Sequence, residues 1–240
     1  ATLHNEDQIT RLDIRIGDTV ILQKAGDVIP EIVSVVKELR PTHAKPWRFP
    51  TRVSECGGDG RIERIPGEAA YRCVDKDSAV LHRRRLYYFV SKHGLNMDGV
   101  GEKTIDLLLE HALVNTAADL FTLEVGDLLL LPGFKEKSAQ NVIDAIHSVK
   151  TVPLERFLTA LGIPHVGEET ARLIAERFES MEELMCADEA TLTALHGVGT
   201  VVAQSLRAWF QHTEHAALIR ALLKEITVVK PKRVRSTIFH

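Results

Sequence analysis

The chain has 240 residues and carries 30 Lys and Arg against 33 Asp and Glu, a formal net charge of −3. That balance excludes a general polyanion sponge, so any nucleic-acid binding has to rest on local geometry. The length allows one or two domains, 45% hydrophobic content is that of a globular chain, and neither a membrane-span-length apolar run nor a signal peptide is present. Three cysteines, an odd number, argue against a disulfide scaffold and point to a reducing compartment. The chain lacks an initiator Met and opens inside what reads as a structured element, so it is expected to be a fragment.

Residues 1–45 read as β structure. Asp13 to Val20 is followed by Ile21-Leu22-Gln23-Lys24, a Gly26-Asp27 turn, and Val28 to Val36. Short β-branched runs separated by such a turn predict strands of a small barrel, with Pro30 at an edge or bulge. Residues 41–50 are a proline-punctuated connector. Beyond it lies a Gly-rich turn at Gly57-Gly58-Asp59-Gly60, flanked by Cys56 and Cys73. His82-Arg83-Arg84-Arg85 then leads into Leu86 to Val90, which reads as a helix. Three arginines beside aromatics suit either phosphate contact or a solvated helix face.

The next 140 residues repeat one design four times. Its copies contain Asp98-Gly99-Val100-Gly101-Glu102-Lys103-Thr104-Ile105, Pro132-Gly133-Phe134-Lys135-Glu136-Lys137-Ser138-Ala139, Pro164-His165-Val166-Gly167-Glu168-Glu169-Thr170-Ala171 and His196-Gly197-Val198-Gly199-Thr200-Val201-Val202-Ala203. Gly101, Lys135, Gly167 and Gly199 are spaced by 34, 32 and 32 residues, which signals a repeated supersecondary unit. The predicted unit is helix, tight turn, helix. Glycines let the backbone turn and another backbone approach, and Val100, Phe134, Val166 and Val198 are expected to tuck between the helices. Ala139, Ala171 and Ala203 are small enough for close helix crossing, with Ile105 the exception.

Each second helix would begin with unpaired N–H groups that favour a phosphate. Lys103 and Lys137 sit in such first turns, where a cation opposes the helix dipole unless an anion is near. Lys135 stands where the other copies have a second Gly, and strain of about 1 kcal/mol is expected there if that position needs positive φ. The third copy has His165 first and Glu168-Glu169 after its Gly.

A helix from Pro153 to Leu161 ends at Gly162 and joins the two pairs of copies; Leu206 to Leu223 predicts a last amphipathic helix. His147, His196, His212 and His215 show no partner constellation, Cys186 reads as a small buried apolar residue, and Lys230-Pro231-Lys232-Arg233-Val234-Arg235 is a basic tail.

The repeated Gly-hydrophobic-Gly unit resembles the helix-hairpin-helix motif, which grips the sugar-phosphate backbone of DNA without reading sequence. The strings Ala1-Thr2-Leu3-His4-Asn5, Asp13 to Val20 and Lys24-Ala25-Gly26-Asp27-Val28-Ile29-Pro30 closely resemble the OB-fold of bacterial NAD-dependent DNA ligases. That family continues into a four-Cys zinc module and four helix-hairpin-helix units, so the resemblance covers nearly the whole chain. It implies an α+β multidomain chain: a partial OB-type β-barrel (1–45), a zinc-finger-like hairpin module (46–82), an all-α tandem helix-hairpin-helix domain (83–225) and a basic tail (226–240).

The expected zinc-ligand positions fall on Val53, Cys56, Cys73 and Ser78, so two thiolates remain of four. Cys56 and Cys73 are the candidate metal ligands; the alternative is a zinc-free hairpin packed on Ile62, Ile65 and Tyr71, with both cysteines as half-buried thiols. His43 and His82 lack ligand spacing. Candidate DNA contacts are Gly99, Val100, Gly101, Lys103 and Thr104; Gly133, Phe134, Lys135 and Lys137; Val166, Gly167 and Thr170; and Gly197, Val198, Gly199 and Thr200. Arg15 and Lys24 join them from the OB-like segment.

The family seals nicks in duplex DNA, using NAD and Mg2+ to adenylate a lysine in a Lys-x-Asp-Gly motif. No such motif occurs here, so neither catalytic nor cofactor-binding residues are assigned to this chain. The resemblance implies an upstream nucleotidyl-transferase domain, nicked duplex DNA as partner, roles in replication and repair, a monomer, and a cytoplasmic, nucleoid-associated location with no membrane. A stand-alone DNA-binding module of a repair or recombination protein stays open beside it, as does a non-functional remnant.

Overall fold

The computed structural model describes every residue except 2, 4, 26–28, 66, 68, 76–77 and 231–240, and the side chains of Lys24, Ala25 and Ile29 are also left aside. The Gly26-Asp27 turn and the tail beyond Lys230 therefore lie outside the described residues. The chain divides into two compact units, Ala1–Leu81 and His82–His240.

The first unit opens with helix α1 (Glu6–Leu12) rather than with a strand. Asn5 caps it by accepting the Asp7 N–H at 3.0 Å, Glu6 and Asp7 favour its positive end, and Asp13 closes it in a left-handed conformation at φ 49°. The expected strand over Asp13 to Val20 is thus corrected to a helix end and a turn. β1 (Val20–Ala25) and β2 (Ile29–Val35) pair antiparallel, Val20 opposite Val35 and Lys24 opposite Pro30, with a register slip between Ile21 and Leu22. Among the described residues no closed barrel forms; β1 and β2 make a two-stranded sheet, so both are edge strands and Pro30 is accommodated.

A smaller hairpin follows, β3 (Ile62–Arg64) with β4 (Tyr71–Cys73). Tyr71 stacks on Phe49 at 4.4 Å between ring centroids and its hydroxyl donates to Glu6, while Arg64 pairs with Asp7. Those two ties fasten the hairpin to α1, so residues 1–45 and 46–81 share one unit.

The second unit is helical and built round one contiguous core. α2 (Ala79–Val90) leads to α3 (Glu102–Glu110); α4 (Val125–Leu129) to α5 (Glu136–Ser148); α6 (Leu154–Ala160) to α7 (Glu168–Arg177). After α8 (Met181–Cys186), α9 (Glu189–Thr193) leads to α10 (Thr200–Gln211), and α11 (Thr213–Glu225) ends the helical series. The pairs α2/α3, α4/α5, α6/α7 and α9/α10 are the four predicted helix-turn-helix units. β5 (Thr151–Pro153), between the second and third units, pairs parallel with β6 (Thr227–Val229) after α11. That pairing returns the segment after α11 to the middle of the tandem.

Two expectations change here. Cys186 is exposed, not buried, because it ends α8 on the side away from Met181 and Leu184. His212 and His215 do have partners: His215 stacks on Trp209 at 4.2 Å, and His212 lies 4.6 Å from His215.

Candidate nucleic-acid interface

All four hairpins close through one turn. The N–H groups of Val100, Phe134, Val166 and Val198 donate to the carbonyls of Met97, Leu131, Ile163 and Leu195, at 3.1, 3.3, 3.1 and 3.0 Å. A four-residue turn of this type needs positive φ at its third residue, which is Gly99 (80°), Gly133 (86°), His165 (65°) or Gly197 (84°). Pro132 and Pro164 occupy the preceding position, where their fixed φ suits the turn. Val100, Val166 and Val198 are buried and Phe134 half-buried against the core, as their place between two helices requires.

The second position of the pattern behaves differently. Gly101, Lys135, Gly167 and Gly199 have φ of −98°, −130°, −88° and −81° and form the N-caps of α3, α5, α7 and α10. Any residue adopts that backbone, so the strain expected at Lys135 is absent. It falls instead on His165, the one non-glycine among the four positive-φ turn residues. Four positions further on, Ile105, Ala139, Ala171 and Ala203 donate to the N-cap carbonyls and are all 0% exposed. The isoleucine is accommodated as well as the alanines.

Nothing inside the fold calls for glycine at three of these N-caps. A Cβ built at Gly101, Gly167 or Gly199 would meet no atom within 4 Å, and no side chain caps α3, α7 or α10. The first N–H groups of these helices have no intrahelical acceptor and point past a bare Cα. The second hairpin departs from this. There Ser138 accepts the Lys135 N–H at 2.8 Å and donates to the Lys135 carbonyl, which fixes the N-cap residue, while the first N–H groups of α5 itself have no side-chain cap.

Charge separates the hairpins further. Lys103 and Lys137 are exposed in the first turns of α3 and α5, and neither has an ion-pair partner among the described residues. Thr104 is half-buried beside Lys103, and Thr170 and Thr200 stand in the equivalent first turns of α7 and α10. The third hairpin carries Glu168 and Glu169: Arg172 pairs with Glu169 and holds its carboxyl below the usual range, and His93 lies 3.7 Å from Glu168. Val201 fills the corresponding place in the fourth hairpin and is 63% exposed.

A cleft runs between the first two turns, lined by Gly99, Thr104, Gly133, Phe134, Ser138 and Asn141. It gathers four of the candidate residues of hairpins one and two: Gly99, Thr104, Gly133 and Phe134. Asn141 escaped sequence reasoning because it lies beyond the repeated string; its i+3 spacing from Ser138 was the available signal.

The OB-like candidates divide. Arg15 is not free for phosphate: its guanidinium donates to Asp13 at 3.3 Å and to the Ala44 carbonyl at 3.0 Å. Arg40 completes the network, donating to Asp18 at 2.8 Å and to Asp13 at 2.7 Å, and these bonds hold both carboxyls below their usual range. The network shapes the turn after α1. Lys24 lies in β1 opposite Pro30, and its side chain lies outside the described atoms. Arg83 lies 3.4 Å from Asp106, which also accepts the Tyr87 hydroxyl, so one of the three arginines pins α2 to α3.

The metal candidates are corrected outright. Cys56 and Cys73 form a disulfide, with their Cα atoms 5.4 Å apart. Each remaining ligand position has other work: the Val53 carbonyl accepts the Cys56 N–H at 3.1 Å, and buried Ser78 caps α2 through the Leu81 N–H at 3.3 Å. A Cβ on Gly57 would stand 2.8 Å from Ser78 Cβ, so the backbone there is packed tightly around the crosslink. The site does not fit zinc: both thiolates are used by each other, valine has no donor, and no group of three or more His, Cys, Asp or Glu able to hold a metal gathers among the described residues.

Known families match three stretches of this chain. Residues 1–44 match the NAD-dependent DNA ligase OB-fold domain. Residues 95–148, the first two hairpins, match the SAM-like helix-hairpin-helix tandem, and residues 156–219, the last two, match the helix-hairpin-helix motif. No described helix is long and apolar enough to cross a membrane.

Proposed function

We propose that this chain, a C-terminal portion of the NAD-dependent DNA ligase family by its OB-fold domain and paired helix-hairpin-helix tandems, grips and encircles nicked duplex DNA while its parent enzyme seals the strand. The parent reaction joins a 3′-hydroxyl to a 5′-phosphate through a DNA adenylate, with NAD supplying the adenylate. The lysine that carries it belongs to an upstream nucleotidyl-transferase domain, since no Lys-x-Asp-Gly occurs here. On this reading the residues of this chain hold and orient the duplex, and the bond-making chemistry belongs to the parent enzyme.

The observation that carries this reading is the set of bare N-caps at Gly101, Gly167 and Gly199. Their φ is open to any residue and their Cβ space is empty, so glycine there serves an atom from outside the fold. Outward N–H groups at a helix start fit a phosphate oxygen; Lys103 adds charge in the first turn of α3, and Lys137 does so in α5, whose N-cap is Lys135. Backbone amides and lysines contact phosphates and carry no sequence information. Lys24 remains a proposed contact from the OB-like segment, whereas Arg15 supports the fold.

Titration of labelled duplexes of unrelated sequence, each at several salt concentrations, tests this. Equal affinities that fall steeply with salt are expected, because each neutralised phosphate releases counterions. Salt-independent binding, or a strong preference for one sequence, would overturn it.

A further inference from the structure

The β3–β4 hairpin has almost no core of its own. Its strands are three residues each, and a two-stranded ribbon of that size is marginal in water. Among the described residues of 46–81 the buried hydrophobic one is Cys56, half of the crosslink; Ile62, Ile65 and Tyr71 are only half-buried. The Arg64–Asp7 pair that ties the hairpin to α1 is solvent-exposed and contributes little alone. The hairpin's order therefore turns on the Cys56–Cys73 bond.

Nothing else takes over when that bond is open. Two thiolates cannot close a zinc site, and no other donor set gathers around them among the described residues. The two cysteines also differ. Cys56 is buried, whereas Cys73 is half-exposed at the end of β4, an edge strand of its two-stranded sheet. A small reagent from solvent meets Cys73 first and leaves Cys56 as its resolving partner. With three cysteines in 240 residues the chain is no disulfide scaffold, and a single accessible crosslink belongs to the labile kind.

We propose that Cys56 and Cys73 form a reversible thiol–disulfide site, closed by hydroperoxides and opened by small thiols, whose state sets whether the β3–β4 hairpin is ordered against α1. In closing, the Cys73 thiolate attacks the peroxide: an S–O bond forms, the O–O bond breaks, and the departing oxygen takes a proton to leave as water or alcohol. The Cys56 thiolate then attacks the Cys73 sulfur, forming the S–S bond and expelling the second oxygen as water. Two electrons pass from the thiols to the peroxide. In opening, an external thiolate attacks the Cys73 sulfur and Cys56 leaves as thiolate; a second external thiol frees Cys73 and departs as the external disulfide. The effect reaches the start of α2, because Gly57, next to Cys56, packs closely on Ser78, which caps that helix. The site stands whether or not the chain grips DNA.

The test uses the full chain carrying Cys186→Ala, so that free thiols report this pair alone. The protein is poised against mixtures of reduced and oxidised glutathione, alkylated, and counted by mass, with hydrogen exchange measured in parallel. The count should pass reversibly between two thiols and none, and exchange in residues 52–75 should quicken about a hundredfold as the pair opens, with residues 82–230 unchanged. Hydrogen peroxide should close the reduced pair, and in Cys56→Ser it should leave a sulfenic acid on Cys73 that a cyclic diketone traps. Cys73→Ser should give far less of that adduct on Cys56. A pair that stays closed at every glutathione ratio would be an inert crosslink and would overturn the proposal. So would closure that leaves exchange in residues 52–75 unaltered, equal trapping at the two cysteines, or stoichiometric zinc on the reduced chain.

Discussion

The two compact units are held together by different physics. In His82–His240 one apolar core runs through every helix, with Phe157, Ile105, Leu108 and Leu158 all 0% exposed. Among the described residues of Ala1–Leu81 the buried hydrophobic ones are Ile9, Ile32, Ala44 and Cys56, while Ile16, Ile21, Leu22, Val33 and Leu39 are exposed. Specific ties do more there: a disulfide, the Asp13–Arg15–Asp18–Arg40 network, and the links from α1 to Arg64 and Tyr71. A core spreads its stabilisation over many residues, and cross-links concentrate it in a few. The comparison therefore predicts which insult each unit feels.

Core truncation should give the largest effect and spare the first unit. Phe157→Ala removes a fully enclosed ring from α6 and should cost about 3–5 kcal/mol. Hydrogen exchange followed by mass spectrometry would localise the loss to residues 82–230. Comparable new exchange in residues 1–81 would mean that the two units stand or fall together.

Reduction should do the reverse. Cys56 and Cys73 are separated by 17 residues, and cross-linking a loop of that size restricts the unfolded chain by roughly 3 kcal/mol. Dithiothreitol, or Cys73→Ser, should accelerate exchange around β3 and β4 and leave the hairpins protected. A metal chelator should change neither unit. Stoichiometric zinc in the purified protein would show that the crosslink is not the resting state.

A third prediction separates folding from function within the second unit. Gly101→Val places a side chain in empty space at a φ it tolerates, so the fold should survive. Duplex affinity should still fall about tenfold, or about 1.4 kcal/mol, because the added atoms stand where a phosphate would approach. Gly199→Val should behave alike. A bulky residue at His165 should cost much less, since Glu168 and Glu169 already crowd that hairpin with negative charge. Equal losses at all three positions would mean that the hairpins act as one rigid array.

The same contrast decides what could be read from the sequence. The hairpins were legible because a 3.6-residue pattern and a repeated turn specify both a core and a corner. Which turn residue takes positive φ was not, since Gly-Val-Gly is symmetric to the eye; Pro132 and Pro164 mark the answer, because proline suits only the position before it. In the first unit, the β-branched run after Asp13 suggested a strand, yet Asn5, Glu6 and Asp7 already spelled a helix start. Two lone cysteines could not announce a disulfide, since their 5.4 Å approach depends on a turn and a strand meeting in space. Arg15 was a candidate as a basic residue inside the OB-like string; that Asp13 and Asp18 occupy it follows only from the turn after α1.

Acid should distinguish the units last and most gently, through different groups. Asp13 and Asp18 have carboxyls held below the ordinary aspartate value of 3.8, chiefly by hydrogen bonds from Arg40. Their contribution is present above that value and disappears as pH falls through the lower folded value, when the unfolded chain binds more protons than the folded one. The first unit should thus lose this support only in strong acid, below about pH 4. In the second unit, burial holds His215 below its ordinary 6.5, helped by the nearby positive charge of His212 and Arg85 and opposed by Glu214 and the Trp209 carbonyl. A base with a lowered folded pKa also favours unfolding once the unfolded imidazole takes a proton, so the α10–α11 corner should begin to weaken as pH drops below about 6.5. His215→Gln should flatten the exchange of that corner between pH 7 and 5 and leave residues 1–81 untouched. A corner whose exchange follows pH identically in the variant would place the sensitivity elsewhere in the helical unit.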